Sequence, residues 1–574
     1  MWMWIGVAVF AFLVVVFFYD VVQRKHAILR NYPVIGHLRY ILESLGPELR
    51  QYIVTSDDEE RPFTRDQRRW VYASAKRQNN YFGFGTDNDL ELAPHHLIIK
   101  HAAFPPAELR AAPGPSASAA GPSAPTANGA EGPAHARTTD ATKAPAGTGP
   151  RVADPHGSAS PSAQPREPAH ADGLHRLPCA KVLGRARGRA RAFRPESVVN
   201  ISGMSFGSLS AAAVEAMNRG ARLAGSLHNT GEGGISPYHR KGADLIWQIG
   251  TAYFGCRDER GRFSMERFLE AVAANPVRAI EIKLSQGAKP GLGGVLPAAK
   301  VTKEIAAIRL IPLGRDCISP AYHAEFSDAD GLLDFVERLA EATGLPVGIK
   351  SAVGELGFWQ ELARLMVRGD RGVDFITIDG GEGGTGAAPL VFTDHVALPF
   401  KLGMSRVYRV FAEAGLHEDI VFIGSGKLGF PQTALVAFAL GCDMVNVGRE
   451  AMLAVGCIQA QRCHTGRCPT GVATQSRWLM RGLDPTSKAA RVANYISTLR
   501  KELAMLSRAC GVVHPALVTC DHMEILDERF GAMNLFDVFG YEREWGLPSE
   551  ADRAEIRRIM AGAPPAATPV VVHG

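Results

Sequence analysis

From Val198 onward the chain alternates between short β-rich runs and longer stretches with apolar residues at helical spacing. The runs that read as strands are VVNIS (198–202), LHNT (227–230), IEIKL (280–284), CISP (317–320), VGIK (347–350), FITID (375–379), FIGS (422–425) and MVNV (444–447). Helical patterns such as DGLLDFVERLAEATG and PQTALVAFALGC lie between most of them. Eight alternating units predict an α/β fold, a closed (β/α)8 TIM barrel rather than an open sheet, over 195–484. DLIWQIGTAYFGC fits no unit cleanly and reads as an inserted strand. From about Pro485, SKAARVANYISTLRKELAMLSRACG predicts a helical extension over 485–574 that packs outside the barrel.

The patterning ahead of the barrel is different. Residues 1–19, MWMWIGVAVFAFLVVVFFY, form an unbroken apolar and aromatic run. At ~1.5 Å per residue such a helix just spans a ~30 Å hydrocarbon layer. Trp2 and Trp4 at one end and Tyr19 at the other suit the two interfaces, and Arg24, Lys25 and Arg30 follow directly. By the positive-inside rule the rest of the chain is expected in the cytoplasm, on a single-pass anchor in the cell membrane. The other reading, a cleaved signal peptide, wants a basic leader and a small-residue cleavage site that this run lacks. Residues 20–103 read as a partly helical region, with Ile28, Leu29, Ile35, Leu38, Ile41, Leu42 and Leu45 at near-helical spacing around Pro33. Residues 104–194 read as a linker. Its Ala/Pro/Gly/Ser-rich part cannot bury enough apolar surface to offset chain entropy. Its basic end, KVLGRARGRARAFR, reads as a solvated, mobile segment, ahead of a role at anionic lipid headgroups beside the anchor.

Composition narrows the function. Charged residues make up 21% of the chain and the net charge is only +5, which argues against a dedicated nucleic-acid binder. Nine cysteines, three of them clustered, suit a reducing compartment and a metal role better than a disulfide framework.

The candidate chemistry gathers where barrel active sites form, at the C-terminal ends of the strands. Those ends are glycine-rich: SGMSFGS (Ser202, Gly203, Met204, Ser205), NTGEGG, KLSQGAKPGLGG, DGGEGGTGAAP (Gly383, Gly384), GSGKLG (Gly424, Ser425, Gly426) and GREAM (Gly448, Arg449). Glycine lets backbone N–H groups approach a phosphate or a flat ring, and barrel phosphate sites usually follow strands seven and eight. A phosphorylated planar cofactor is the expectation. Gly381, Gly383 and Gly386 match a dinucleotide fingerprint, but Ala-Ala-Pro follows where a helix should open, so that reading is set aside. Lys283 ends an apolar run, with Gln286 and Lys289 beyond it. Cations there can balance a reduced flavin edge or hold a substrate carboxylate. Glu232, set between glycines, can relay protons or bind an ammonium-like group. Lys350 and Asp379 also lie at strand ends, with less context to assign them.

Cys457, Cys463 and Cys468 lie in CIQAQRCHTGRCPTGVATQ, a C-x5-C-x4-C spacing closed by Pro469. Spacing alone leaves two readings open. One is zinc with His464 as fourth ligand; the other is an iron–sulfur cluster one iron short of the full set.

MSFGSLS…HNTGEGG, IEIKLSQGAKPGLGG, DGGEGGTGAAP and the cysteine run, in this order, resemble the FMN-binding synthase domain of glutamate synthases over about 198–475. The stretch QRKHAILRNYPVIGHLRYILESLGPELRQY is similar to short, stand-alone bacterial members of that family. The resemblance implies FMN in the barrel mouth and a 3Fe-4S cluster on Cys457, Cys463 and Cys468. It implies reductive amination of 2-oxoglutarate through 2-iminoglutarate to glutamate, an oxidoreductase acting on CH–NH2 groups. Lys283 and Glu232 would be catalytic, with Lys283 also at the flavin edge and Gln286 and Lys289 on the substrate. Ser202–Ser205, Gly383, Gly384, Gly424, Ser425, Gly426, Gly448 and Arg449 would hold the cofactor. An electron donor, a ferredoxin or a reductase subunit, is also implied. The family's glutaminase cysteine has no counterpart, because the first cysteine is Cys179, so ammonia is expected from elsewhere. Leu292 and Val295 replace a Glu and a Gln of the larger enzymes, which admits another amine, as in an N-methylglutamate synthase. A membrane-tethered flavin/iron–sulfur electron-transfer module is the alternative.

Overall fold

The computed structural model describes residues 2–23, 27–49, 60–81, 86, 95–104, 109, 175–527 and 531–566. The Ala/Pro-rich part of the expected linker falls outside these residues. The N-terminal region contains helices α1 (Trp2–Val22), α2 (Ala27–Asn31), α3 (Gly36–Leu49) and α4 (Arg65–Ala75). α1 is long and apolar enough to cross a membrane.

The strands in chain order are β1 (Leu97–Ile99), β2 (Val199–Ile201), β3 (His228–Asn229), β4 (Leu245–Ile249), β5 (Val277–Lys283), β6 (Val295–Leu296), β7 (Cys317–Ile318), β8 (Val347–Ser351), β9 (Phe375–Asp379), β10 (Val421–Ser425), β11 (Met444–Val447), β12 (Met523–Leu526) and β13 (Ala532–Asn534). Eight of them close a parallel barrel in the order β2-β3-β4-β5-β8-β9-β10-β11, with β11 returning to β2. The expected (β/α)8 class therefore holds, with one exchange. CISP is not a barrel strand: β7 pairs antiparallel with β6 in a small ribbon, and Ile318 is 67% exposed. The ambiguous LIWQI takes the place, as β4 between β3 and β5. All five β4 residues are buried, as a strand covered on both faces requires.

The basic segment is a second correction. Residues 177–194 are not a free mobile segment but pack on the lower end of the barrel, with Arg185, Ala186, Ala190 and Arg191 left exposed. Leu183 and Phe193 bridge antiparallel and pack with Cys179, Ile246, Phe375, Val421 and Met444. Arg189 reaches Glu337 at 2.5 Å and Asp374 at 2.9 Å, so its charge is spent inside the fold. Its neighbour Arg185 pairs with Asp552 of the C-terminal region.

That C-terminal region is not purely helical. Its long helix, Pro485–Ala509, is capped by Asp484 and packs against α4 and against the helix Ala211–Ala224. Beyond it, β12 and β13 join β1 in a three-stranded antiparallel sheet, so residues from both ends of the chain share one sheet.

Candidate active site

One cavity of about 490 Å³ opens at the C-terminal ends of the barrel strands. Its wall is made by the loops that follow those strands, together with the cysteine segment and Pro62 and Phe63 from the N-terminal region. Ser202, Gly203, Met204, Ser205, Glu232, Lys283, Gln286, Lys289, Gly383, Gly384, Ser425, Gly426, Gly448, Arg449, Cys457, Cys463 and Cys468 all line it. Gly424 does not. A Cβ there would meet Leu428, Phe400 and Cys442 in the helix layer, because strand alternation turns Gly424 outward and Ser425 inward.

Lys283 ends β5, the fourth barrel strand. Its Nζ donates to Glu232 Oε1 at 2.6 Å and to Gln286 Oε1 at 3.2 Å. Gln286 in turn donates to the Gly384 carbonyl at 2.8 Å, which ties two strand-end loops together. Burial pushes the Glu232 carboxyl up, but Lys283 and then Lys289 outweigh it and hold it at about 2. Lys289 is brought down to about 8 by burial, aided by the Lys283 charge and opposed by Glu232. Two cations and one carboxylate thus meet in this part of the wall, an excess of positive charge suited to an anionic ligand. The backbone at Lys283 is held by His323, whose Nε2 lies 2.9 Å from the Lys283 carbonyl. A carbonyl only accepts, so Nε2 carries the proton and Nδ1 faces the Tyr253 hydroxyl at 3.2 Å.

The loop after β5 is locked by a backbone contact only glycine permits. A Cβ on Gly287 would sit 1.9 Å from the Gly380 carbonyl oxygen. The Gly287 N–H donates to Asp379 Oδ2 at 2.8 Å, and Lys350 stands 3.6 Å from the same oxygen. Lys350 and Asp379, the strand ends without an assigned role, therefore position the loop after β5. Gly231 is equally constrained: its φ is +67°, and a Cβ would lie 2.7 Å from the Ser205 amide nitrogen.

Gln248 on β4 was not anticipated. It lines the cavity, and its Nε2 donates to buried Glu281 Oε2 at 2.6 Å. Asn229 and Thr377 donate to the same carboxylate, each at 2.7 Å. Because the carboxylate accepts, the amide orientation of Gln248 is set, with its carbonyl oxygen turned away from Glu281. A lone polar residue in the apolar run LIWQI was the available signal. Arg309, donating to Ser205 Oγ at 3.3 Å and to the Phe206 carbonyl at 3.1 Å, was also missed.

The cysteines share the cavity wall with the phosphate-loop candidates. Burial pushes Cys457 up to about 12 and raises Cys463. Burial also acts upward on Cys468, but backbone N–H groups of Ala473, Thr470 and Val472 and the Thr470 hydroxyl bring its thiol down overall. Lys300, buried, donates to the Cys463 carbonyl at 3.1 Å. His464 lines the cavity too, yet among the described residues no three His, Cys, Asp or Glu side chains meet as ligands of a single ion. The segment is braced from the N-terminal region. Gln459 Oε1 accepts from the Phe63 N–H at 3.2 Å, and its Nε2 donates to Glu60 Oε1 and to the Phe63 carbonyl, both at 3.1 Å. Tyr72 donates to the Cys457 carbonyl at 2.7 Å.

A family model described as a conserved region in glutamate synthase matches residues 186–513. The chain belongs to the glutamate synthase family. The glutamate synthase large subunit-like protein YerD of Bacillus subtilis (strain 168) is 37% identical over 524 residues, 90% of this chain and 93% of that protein. The archaeal glutamate synthase (NADPH) of Methanocaldococcus jannaschii is 38% identical over 318 residues, 55% of this chain and 59% of its own length. An archaeal-type glutamate synthase (NADPH) of Thermotoga neapolitana is 36% identical over 321 residues, covering 55% of this chain and 60% of itself. The chain thus spans nearly all of the first relative and about three-fifths of the other two. At the level of the family, it is related to FMN oxidoreductases of the glutamate synthase type, and the matched region carries all three cysteines and the cavity wall apart from Pro62 and Phe63.

Proposed function

We propose that the chain is an FMN- and iron–sulfur-dependent oxidoreductase that reductively aminates 2-oxoglutarate to glutamate, with ammonia supplied from elsewhere. The observation that carries this reading is the convergence on one cavity of the Lys283–Glu232–Lys289 group, the glycine-rich strand ends and the cysteine trio. The residues fit FMN. About 490 Å³ lies within the range of cofactor sites, Gly426 and Gly448 put backbone without a side chain on its wall, and Arg449 offers a cation for a phosphate. They also fit a 3Fe-4S cluster on Cys457, Cys463 and Cys468. All three line the cavity, and Cys463 and Cys468 each act electrostatically on the Cys457 thiol, so the three sulfurs face one space. Bound there, FMN would supply hydride chemistry and the cluster one-electron transfer.

The chain's own residues do the rest. Lys289 and Lys283 hold the carboxylates of the oxo acid by charge-assisted hydrogen bonds. Ammonia adds to the oxo carbon and water leaves, giving 2-iminoglutarate. The Lys283 ammonium, 2.6 Å from Glu232, gives the departing oxygen a proton and recovers one from the nitrogen as C=N forms, and Glu232 stabilises that ammonium. A hydride from FMN held there, with a proton, would complete glutamate. Val295 lines the cavity and is 46% exposed, which favours as a second reading an amine bearing a methyl group.

Anaerobic turnover of 2-oxoglutarate with ammonia or methylamine and a reduced dye tests both. Glutamate formed from ammonia supports the first reading. N-methylglutamate from methylamine with no product from ammonia supports the second. A preparation that carries FMN and iron yet makes neither product leaves a membrane-tethered electron-transfer module instead.

A further inference from the structure

α1 is apolar along its length and has one buried residue, Asp20, at its C-terminal end. That carboxylate is not facing solvent. Oδ2 accepts the Val34 N–H at 2.8 Å, and both oxygens lie 3.0 Å from His37 Nε2. Val34 joins α2 to α3 with φ +65°, a conformation that a β-branched residue adopts only under constraint. Asp20 therefore clamps the start of α3 to the end of α1, and buried Leu29 lies within the turn they enclose.

α3 carries Leu38, Ile41, Leu42 and Leu45 at i, i+3, i+4 and i+7, one continuous stripe. Ile35 and Tyr32 extend it back to the clamp. All six are exposed, from 50% for Leu45 to 74% for Ile35. Arg39 and His37 flank it, one on each edge, roughly 160° apart around the helix. A stripe of this length on an otherwise polar helix, starting where a bilayer-length helix ends, has the pattern of a helix lying in a membrane interface.

We propose that α3 lies in the headgroup–acyl boundary of the bilayer that α1 enters, its Leu38–Leu45 stripe covered by lipid. The anchor is then a clamped helical unit rather than a bare span, and α1 is retained as part of it. The occupant is lipid because the stripe is continuous with the apolar surface of α1 and is held to it by Asp20. The proposal rests on α1 being embedded, so the experiment tests both levels separately.

The full chain is placed in phosphatidylcholine/phosphatidylglycerol nanodiscs, with p-benzoylphenylalanine replacing Val14, Leu42 or Arg39 in turn. Each is illuminated and its adducts identified by mass, with flavin absorbance and turnover checked first. The expected result is lipid adducts at Val14 and Leu42, with at least fivefold less at Arg39. A lipid adduct at Val14 with none at Leu42, or an adduct at Leu42 to a second polypeptide, overturns the interfacial position of α3 while leaving α1 embedded. Equal yields at Leu42 and Arg39 also overturn it. No lipid adduct at Val14 overturns the embedding itself. Repeating the substitution at Leu38 guards against a local misfold at Leu42, with the same expected outcomes.

Discussion

Replacing Lys283 by methionine removes an ammonium that lies 2.6 Å from Glu232 Oε1. The two side chains are 10% and 18% exposed, so the pair is mostly out of water. Breaking a fully buried pair from one side costs ~3–5 kcal/mol, because the other charge is stranded. Here the residual exposure and the nearby Lys289 cation reduce that to ~2–3 kcal/mol. Glu232→Gln strands the ammonium instead but keeps an amide oxygen as acceptor, so it should cost ~1–2 kcal/mol. The double variant strands no charge and should cost less than Lys283→Met alone. Urea unfolding of the holoprotein in detergent at neutral pH measures all three. A double-variant cost equal to the sum of the singles within ~0.5 kcal/mol would refute the coupling inferred from the geometry. Turnover provides a second readout. Loss of a charge-assisted hydrogen bond to a carboxylate of ~3 kcal/mol lowers kcat/KM by roughly 100-fold for Lys283→Met, with flavin absorbance retained.

Burial brings Lys289 down to about 8, so its charge is full well below that pH and lost above it. KM for the oxo acid should therefore rise above pH 8, and Lys289→Arg should flatten the rise; a flat wild-type profile counts against Lys289 as a carboxylate ligand. Glu232, held at about 2, supports stability that is complete above its ordinary 4.5 and is lost as pH falls toward 2. The stability lost in Glu232→Gln, measured by urea unfolding, should therefore be full at neutral pH and shrink as pH falls toward about 2; a deficit that does not change with pH would refute the pairing. Gly231→Ala forces a side chain into a positive φ and against the Ser205 amide, and should lower flavin content several-fold on purification. Gln459→Leu leaves the Phe63 N–H and carbonyl unpaired, and should lower iron per chain and alter the low-temperature EPR signal; unchanged iron and signal would exclude a bracing role.

The cavity-wall residues legible in the sequence are those whose role depends on local position. A residue just past a strand must lie at the barrel mouth, so Ser202–Ser205, Glu232, Lys283, Gly383–Gly384, Ser425–Gly426 and Gly448–Arg449 could be placed from the pattern. Gly424 shows the limit of this rule: one residue earlier, alternation points it into the helix layer. The choice between CISP and LIWQI failed because a two-residue antiparallel ribbon and a barrel strand look alike over a short window. Which one is buried on both faces is decided by neighbours far along the chain. The basic stretch misled for a related reason. Arg189 looked solvated because its partners, Glu337 and Asp374, lie 148 and 185 residues away.

By itself, the sequence determined the alternating barrel, the apolar first helix and the cysteine trio, because periodicity and short spacing are local properties. Only the tertiary structure decided that Phe63 and Gln459, 396 residues apart, brace the cysteine segment against the N-terminal region. It alone set the amide orientation of Gln248 through Glu281 and clamped α3 to α1 through Asp20. These contacts join residues whose spacing carries no period, and the folded chain brings them together because a buried donor or acceptor must find its partner wherever packing has placed one.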